Sequence, residues 1–418
     1  MSPARRRVVV TGLGLVSPWG NSVESAFAQA MAGQSAIRCH AVGDAPHSVT
    51  IASAVCSEVD PAPLIGRSRS AAMDRVGQLA VQAAGAAWAD AGLDVLGEEA
   101  RERVAVLLGT CVGGAQSTER GYRDLFVRNR SRLSPLTVVQ CMNNAPASHI
   151  AQLYGLGGAC HTYSVACASA AAAIADAARR IRAGDGDVVI TGGSEAALPY
   201  GIVKAWLSMQ VLAPAADDDA ARAACRPFAA DRNGLVLGEG AAVFTLEERE
   251  HALGRGARIY AELAGSGSSC DHGHITAPLA AGQMRALREA LRDACADPDE
   301  VRYVNAHGTA TPEGDPVEID ALRQFFGAQA TKLAVSATKS MHGHLMGAAG
   351  AIEALLTVMA VHKGMIPPTG HRAEIDPACT GVDHVLGEGR EVGRLPLALS
   401  NSFAFGGSNV VLAFRAPG

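Results

Sequence analysis

The sequence predicts an α/β protein made of two halves, each a sheet covered by helices. Three observations carry that expectation. Short β-rich runs ending in glycine or polar residues alternate with alanine- and leucine-rich helical runs along the chain. At 418 residues the chain exceeds the length at which a single hydrophobic core usually stops growing. Hydrophobic residues make up 48% and charged residues 18%, a balance suited to strands buried on both faces.

The first strand is expected at residues 7–11, where Arg5, Arg6 and Arg7 lead into Val8-Val9-Val10 ahead of a glycine turn, Thr11-Gly12-Leu13-Gly14. The basic residues of this opening segment, 1–10, mimic a signal peptide. Three apolar residues are too few for its core, however, and no clear small-residue cleavage site follows. A helical run spans 75–91 and a strand 104–108. A strand-like run then reaches Cys167, followed by an alanine-rich helical run, 171–182, with Arg179, Arg180 and Arg182 at the end where cations complement the helix dipole. Strands at 187–191 and 241–246 complete the first half. Between them, 209–238 lacks periodicity and reads as a connection carrying loops, a lid or subunit contacts. The charged segment 247–255 reads as the joint, dividing the chain into 1–254 and 255–418. Strands are expected at 258–263, 301–305, 332–336, 395–400 and 409–414, and helices at 282–296, 316–326 and 350–362. The last helix carries Ile352, Leu355, Leu356 and Met359 as a core stripe.

Composition excludes several classes of function. A net charge of −5 with 4% aromatic residues gives neither a cationic surface for phosphates nor a stacking platform, so nucleic acid is not an expected partner. Ten cysteines are scattered without a Cys-x-x-Cys pair, which suggests a reducing compartment. No apolar stretch approaches the roughly 18 to 20 residues of a membrane span. A cytoplasmic protein without a membrane anchor is expected.

Cys167 stands where strand gives way to helix, in Tyr163-Ser164-Val165-Ala166-Cys167-Ala168-Ser169-Ala170. Unpaired amides at a helix N-terminus favour thiolate over thiol and can hold an oxyanion, so a nucleophile is one reading. A small buried hydrophobe is the other. Three further motifs lie at expected strand exits: Val304-Asn305-Ala306-His307-Gly308-Thr309-Ala310-Thr311-Pro312, Ser336 to Gly350 with Lys339 and His344, and Asn401-Ser402-Phe403-Ala404-Phe405-Gly406-Gly407-Ser408-Asn409. Histidines in Asp271-His272-Gly273-His274 and His342-Gly343-His344 could also suggest a metal site, although such pairs are weak signals and glycine-rich loop architecture accounts for them; no metal is expected.

Together these motifs resemble the elongating β-ketoacyl-acyl-carrier-protein synthases, condensing enzymes of thiolase fold with a Cys-His-His triad. The resemblance includes the segment Val8 to Pro18, Gly192-Gly193-Ser194-Glu195-Ala196, Arg226-Pro227-Phe228 and Leu237-Gly238-Glu239-Gly240, and covers essentially the whole chain. It implies two pseudo-duplicated halves in a five-layered αβαβα arrangement, the first bearing the cysteine and the second both histidines. The implied reaction is decarboxylative Claisen condensation of an acyl thioester with malonyl-acyl-carrier protein, adding two carbons and giving a 3-oxoacyl-acyl-carrier protein in fatty-acid or polyketide synthesis. Cys167 would take the acyl chain, with its own amide and that of Phe403 as oxyanion hole. His307 and His344 would hold the enolate, Lys339 would order the site with Glu353 as partner, and Thr309, Thr311 and a weaker Thr276 would contact the phosphopantetheine arm. Val112 would line the acyl pocket, and the loop of Phe403, Ala404 and Phe405 would gate access to the thiol.

No bound cofactor is implied, because substrates arrive on the phosphopantetheine of acyl-carrier protein. The resemblance also implies a homodimer, with a heterodimer including a related subunit as the alternative. Ala404 replaces the family's usual glycine, His342 a threonine, Leu235 a phenylalanine and Asn233 an aspartate. Two relatives compete with this reading. A thiolase acting on coenzyme A thioesters would need a second, C-terminal cysteine, and 395–414 contains none. A chain-length-factor subunit lacks the nucleophile that Cys167 supplies.

Overall fold

The computed structural model describes residues 5–418, so residues 1–4 of the arginine-bearing opening segment lie outside the described residues. Eleven strands form the main sheet: β1 (Val8–Val16), β2 (Ala105–Gly109), β3 (Cys160–Tyr163), β4 (Val188–Glu195), β5 (Gly240–Glu248), β6 (Ala261–Cys270), β7 (Val301–Asn305), β8 (Ala334–Ser336), β9 (Asp383–His384), β10 (Leu397–Ala404) and β11 (Ser408–Arg415). Their order is β9-β8-β7-β10-β11-β6-β1-β5-β4-β2-β3. The arrangement β3-β2-β4-β5-β1 recurs as β8-β7-β10-β11-β6, with the same parallel and antiparallel neighbours. Antiparallel pairing of Val9 with Glu262 and Val10 with Ala261 joins the two sets.

The helices repeat in step. In the first set α1 (Arg75–Ala91), α2 (Ala145–Tyr154) and α3 (Ser169–Ala183) follow successive strands; α4 (Ala280–Ala294), α5 (Gly314–Phe326) and α6 (Ala349–Lys363) do so in the second. α3 and α6 pack on each other and each touches strands of both sets, whereas α1 with α2 and α4 with α5 cover the outer sides. The result is the five-layered αβαβα thiolase-like architecture. α6 is buried on all sides up to Val361, so its apolar residues extend around the helix and not only along the expected stripe.

Most expected strands are present but longer, and in β1 the reason is glycine. The expected turn at Thr11-Gly12-Leu13-Gly14 is continuous buried strand to Val16. Gly14 is there for close approach: a Cβ on it would lie 1.9 Å from the Ala83 carbonyl oxygen of α1. Several elements were not expected, among them a hairpin of Arg38–Asp44 with His47–Ala54, helices at Val23–Met31, Ala115–Phe126, Ala145–Tyr154 and Tyr200–Ser208, and a short helix, Asp218–Arg222, inside the connection at 209–238. The charged joint at 247–255 contains a helix, Arg249–Gly254.

Candidate active site

Cys167 lies one residue before the N-cap of α3, and the chain enters it through Ala166 at φ +48°, a left-handed conformation that a non-glycine residue adopts only at some strain. Ser169 braces the turn by accepting from the Val165 amide (2.9 Å) and donating to the Ala166 carbonyl (2.6 Å). The sulfur is therefore held at the head of α3, which touches strands of both sets. His344 arrives from the other half with its Nε2 3.0 Å from that sulfur. The ligating-type atoms of Cys167, His307 and His344 all lie within 4.8 Å of one another, and the two imidazole rings stand 5.5 Å apart edge to face.

The remote nitrogens of both rings set their tautomers. Lys339 Nζ lies 3.2 Å from His307 Nδ1, and the Met346 amide donates to His344 Nδ1 at 3.3 Å. Each Nδ1 is thus an acceptor, so each ring carries its proton on Nε2 and turns an N–H toward the sulfur. Burial first, then the charge of Lys339, holds both imidazoles well below their ordinary pKa, so they are neutral donors. A metal ion would need lone pairs where these rings present protons. His272 and His274 lie exposed on their loop, and His342 is buried against the Thr338 hydroxyl (3.0 Å), so the histidines singled out as possible ligands, His344 apart, do not gather here.

Lys339 and Glu353 form a fully buried ion pair, and Lys339 also donates to the His307 carbonyl at 2.6 Å. Burial pushes the Glu353 carboxyl up to about 7 against the pull of Lys339. The thiol departs from expectation. Burial drives Cys167 up to about 12, outweighing Lys339 and the amides that favour the thiolate, so the resting group is a neutral thiol. Lys339 and the amides of Phe405 and Cys167 lower this value without producing the thiolate.

The amides that pull the thiol pKa down are those of Cys167 and Phe405, and not the Phe403 amide expected from the sequence. Phe403 lies within the β10–β11 ladder opposite Asn409, whereas Phe405 begins the turn beyond it and its amide is free to face the thiol. Phe405 stacks on Trp206 at 6.0 Å, and Phe403 stands beside His307 at 6.4 Å.

A cavity of about 410 Å³ opens onto this site, lined by Cys167, His307 and His344 at its base, by Phe403, Ala404 and Phe405, and by Thr276, Thr309 and Thr311. The hydroxyls of Thr309 and Thr311 lie 3.0 Å apart. Lys339 and Glu353 stand behind the lining. Val112 does not line this cavity; it is half-buried against a core cluster drawn from both halves, beside Cys111. Connection residues Val211 and Leu235 also contribute to the wall.

Sequence reasoning missed two supporting carboxylates on α5. Glu318 accepts from the amides of His307 (2.9 Å) and Gly308 (2.8 Å), and Asp315 from those of Phe228 (2.8 Å) and Ala310 (3.1 Å). A signal existed: Asp315, Glu318, Ile319 and Leu322 share one face at helical spacing, so two acids sit on the apolar side.

Comparison with known proteins follows the geometry. The family model described as beta-ketoacyl synthase, N-terminal domain matches residues 5–252, and the one described as beta-ketoacyl synthase, C-terminal domain matches 260–373. The chain is 40% identical to Nodulation protein E of Rhizobium sp. over 98% of its length and 99% of the relative's. It is 39% identical to 3-oxoacyl-[acyl-carrier-protein] synthase 2 of Synechocystis sp. over 98% of both. Among solved structures, the ishigamide ketosynthase/chain length factor superposes with a TM-score of 0.90 at 33% identity, covering 99% of this chain and 100% of that one.

Proposed function

Because the chain belongs to the β-ketoacyl synthase family, we propose that it catalyses decarboxylative condensation of an acyl thioester with malonyl-acyl-carrier protein to give a 3-oxoacyl-acyl-carrier protein. The observation that carries this reading is the meeting of Cys167, His307 and His344 at the base of one cavity, with both imidazoles as neutral N–H donors. In the first step the Cys167 sulfur attacks the acyl carbon, the carrier's sulfur leaves and takes the thiol proton, and one thioester replaces another at little thermodynamic cost. The amides of Cys167 and Phe405 receive the oxyanion.

In the second step the malonyl carboxylate leaves as CO2, and its bonding pair enters the thioester as an enolate whose oxygen accepts from the Nε2–H groups of His307 and His344. Neutral donors stabilise that charge without offering the acidic proton of an imidazolium to the carbanion. The carbanion attacks the acyl carbon on Cys167, and the released thiolate takes a proton from water. Lys339 orders His307, and Thr309 and Thr311 contact the phosphopantetheine arm, with Thr276 at the rim. No resident cofactor enters.

The boundary at 254/255 is part of the same reading, as is a cytoplasmic location; repetition of strand order supports the first, and ten free cysteines support the second. No helix among the described residues is long and apolar enough to cross a membrane. We take the assembly to be a dimer, of two copies or of this chain with a related subunit, as the ketosynthase/chain length factor neighbour suggests. Mass spectrometry of the protein after incubation with acyl-carrier proteins tests the first step. The acyl adduct is expected on Cys167 alone among ten cysteines and absent from Cys167→Ala; an adduct on Cys111 would refute the assignment.

A further inference from the structure

Glu195 ends β4 with no exposed surface, and its partners are hydrogen-bond donors, not a cation. Oε2 accepts from the amides of Cys111 (2.6 Å) and Gly347 (3.1 Å), and Oε1 from the Thr110 hydroxyl (3.3 Å) and the Val112 amide (3.4 Å). These donors belong to opposite sides of the reacting centre. The Thr110–Cys111–Val112 loop follows β2 and is tied to the segment leading to the nucleophile, through the Thr110 amide on the Tyr163 carbonyl (3.1 Å) and the Ser164 hydroxyl on the Cys111 carbonyl (3.4 Å). Gly347 belongs to the turn after His344, whose Met346 amide sets the His344 tautomer. The turn is pressed onto the loop so closely that a Cβ on Gly347 would lie 2.2 Å from the Cys111 nitrogen and 2.6 Å from Glu195 Oε2.

We propose that Glu195 is a positioning residue for the condensation: by clamping the His344 turn to the Thr110–Val112 loop, it sets the separation between His344 Nε2 and the Cys167 sulfur. The proposal rests on the condensing-enzyme reading above. A carboxylate offers lone pairs to all four donors, whereas a glutamine amide has one oxygen and would turn an NH2 toward backbone N–H groups. Donors aimed at a developing oxyanion lose effect when their supporting shell loosens by a fraction of an ångström.

The test is Glu195→Gln, with malonyl decarboxylation normalised to the number of acylatable Cys167 thiols counted by mass spectrometry. This normalisation removes any loss of folded protein. Turnover per acylatable thiol is expected to fall about tenfold or more, with KM for malonyl-acyl-carrier protein within about twofold, because Thr309 and Thr311 are untouched. Wild-type turnover per thiol, or a loss confined to KM, would overturn the proposal. Should the glutamine variant yield no acylatable protein, Glu195→Asp, which keeps the charge but shortens its reach, is read in the same way. A wild-type chain that does not condense would overturn both this proposal and the reading it rests on; condensation by wild type with an unaffected variant would overturn only this one.

Discussion

Two hydrogen bonds outside the cavity decide what the histidines at its base can do. Lys339 and the Met346 amide occupy the Nδ1 atoms of His307 and His344, and that leaves two N–H groups aimed at the place where enolate charge develops. His342, at a position where threonine is more usual in the family, is a different kind of residue. Burial first, then Lys339, holds it down to about 3 from an ordinary 6.5. Below pH 6.5 the unfolded chain therefore binds a proton that the folded chain refuses. The stability linked to this residue is constant above 6.5 and falls as pH drops from 6.5 toward 3. Replacing it by threonine should remove that slope: measured by denaturant titration, His342→Thr should gain about 2 kcal/mol relative to wild type on going from about pH 7.5 to about pH 5. Parallel stability profiles would contradict the depressed value. At this scale the reacting groups were legible in sequence because each lies in an ordered motif at a strand exit. Glu195, Glu318 and Asp315 were not, because a buried acid satisfied by amides looks in sequence like an acid facing water.

Among the elements, the loop from Ala404 to Gly407 lines the cavity that holds the thiol and, in the proposed reaction, supplies an oxyanion-hole amide. Phe405, stacked on Trp206, is exposed, and the Gly406 amide ties the loop to the Ile275 carbonyl at 2.7 Å. Ala404 ends β10 at rest without a positive φ, so the ground state makes no demand for glycine there. Any opening that carries the loop through left-handed conformations would meet a barrier of about 1 kcal/mol at alanine that glycine lacks. Ala404→Gly is accordingly expected to speed acylation by poorly accepted chains about fivefold and to leave decarboxylation on pre-acylated protein unchanged. Equal initial acylation rates across carriers of graded length would show that this alanine is neutral. Element positions were read well where apolar runs were long, as in α1, which matches residue for residue. Strand ends were read short because Gly12 and Gly14 look like a turn until the helix pressed against them is seen.

The whole molecule explains why the site is where it is. Two copies of one strand order meet with α3 and α6 between them; the first copy delivers Cys167 at the head of α3, and the second delivers His307 after β7 and His344 ahead of α6. The duplication is invisible as sequence identity because buried parallel strands and alanine-rich helices ask only for hydrophobicity of the right size, so the halves share topology without sharing residues. The division of labour between the halves gives the central claim its most direct test: acylation and decarboxylation measured separately in single turnover for wild type, His307→Ala and His344→Ala. Each variant should retain substantial self-acylation from acyl-carrier protein while release of labelled CO2 from malonyl-acyl-carrier protein falls by about a hundredfold or more, the effect of removing one preorganised oxyanion donor. Decarboxylation that survives both substitutions at the wild-type rate would contradict the account.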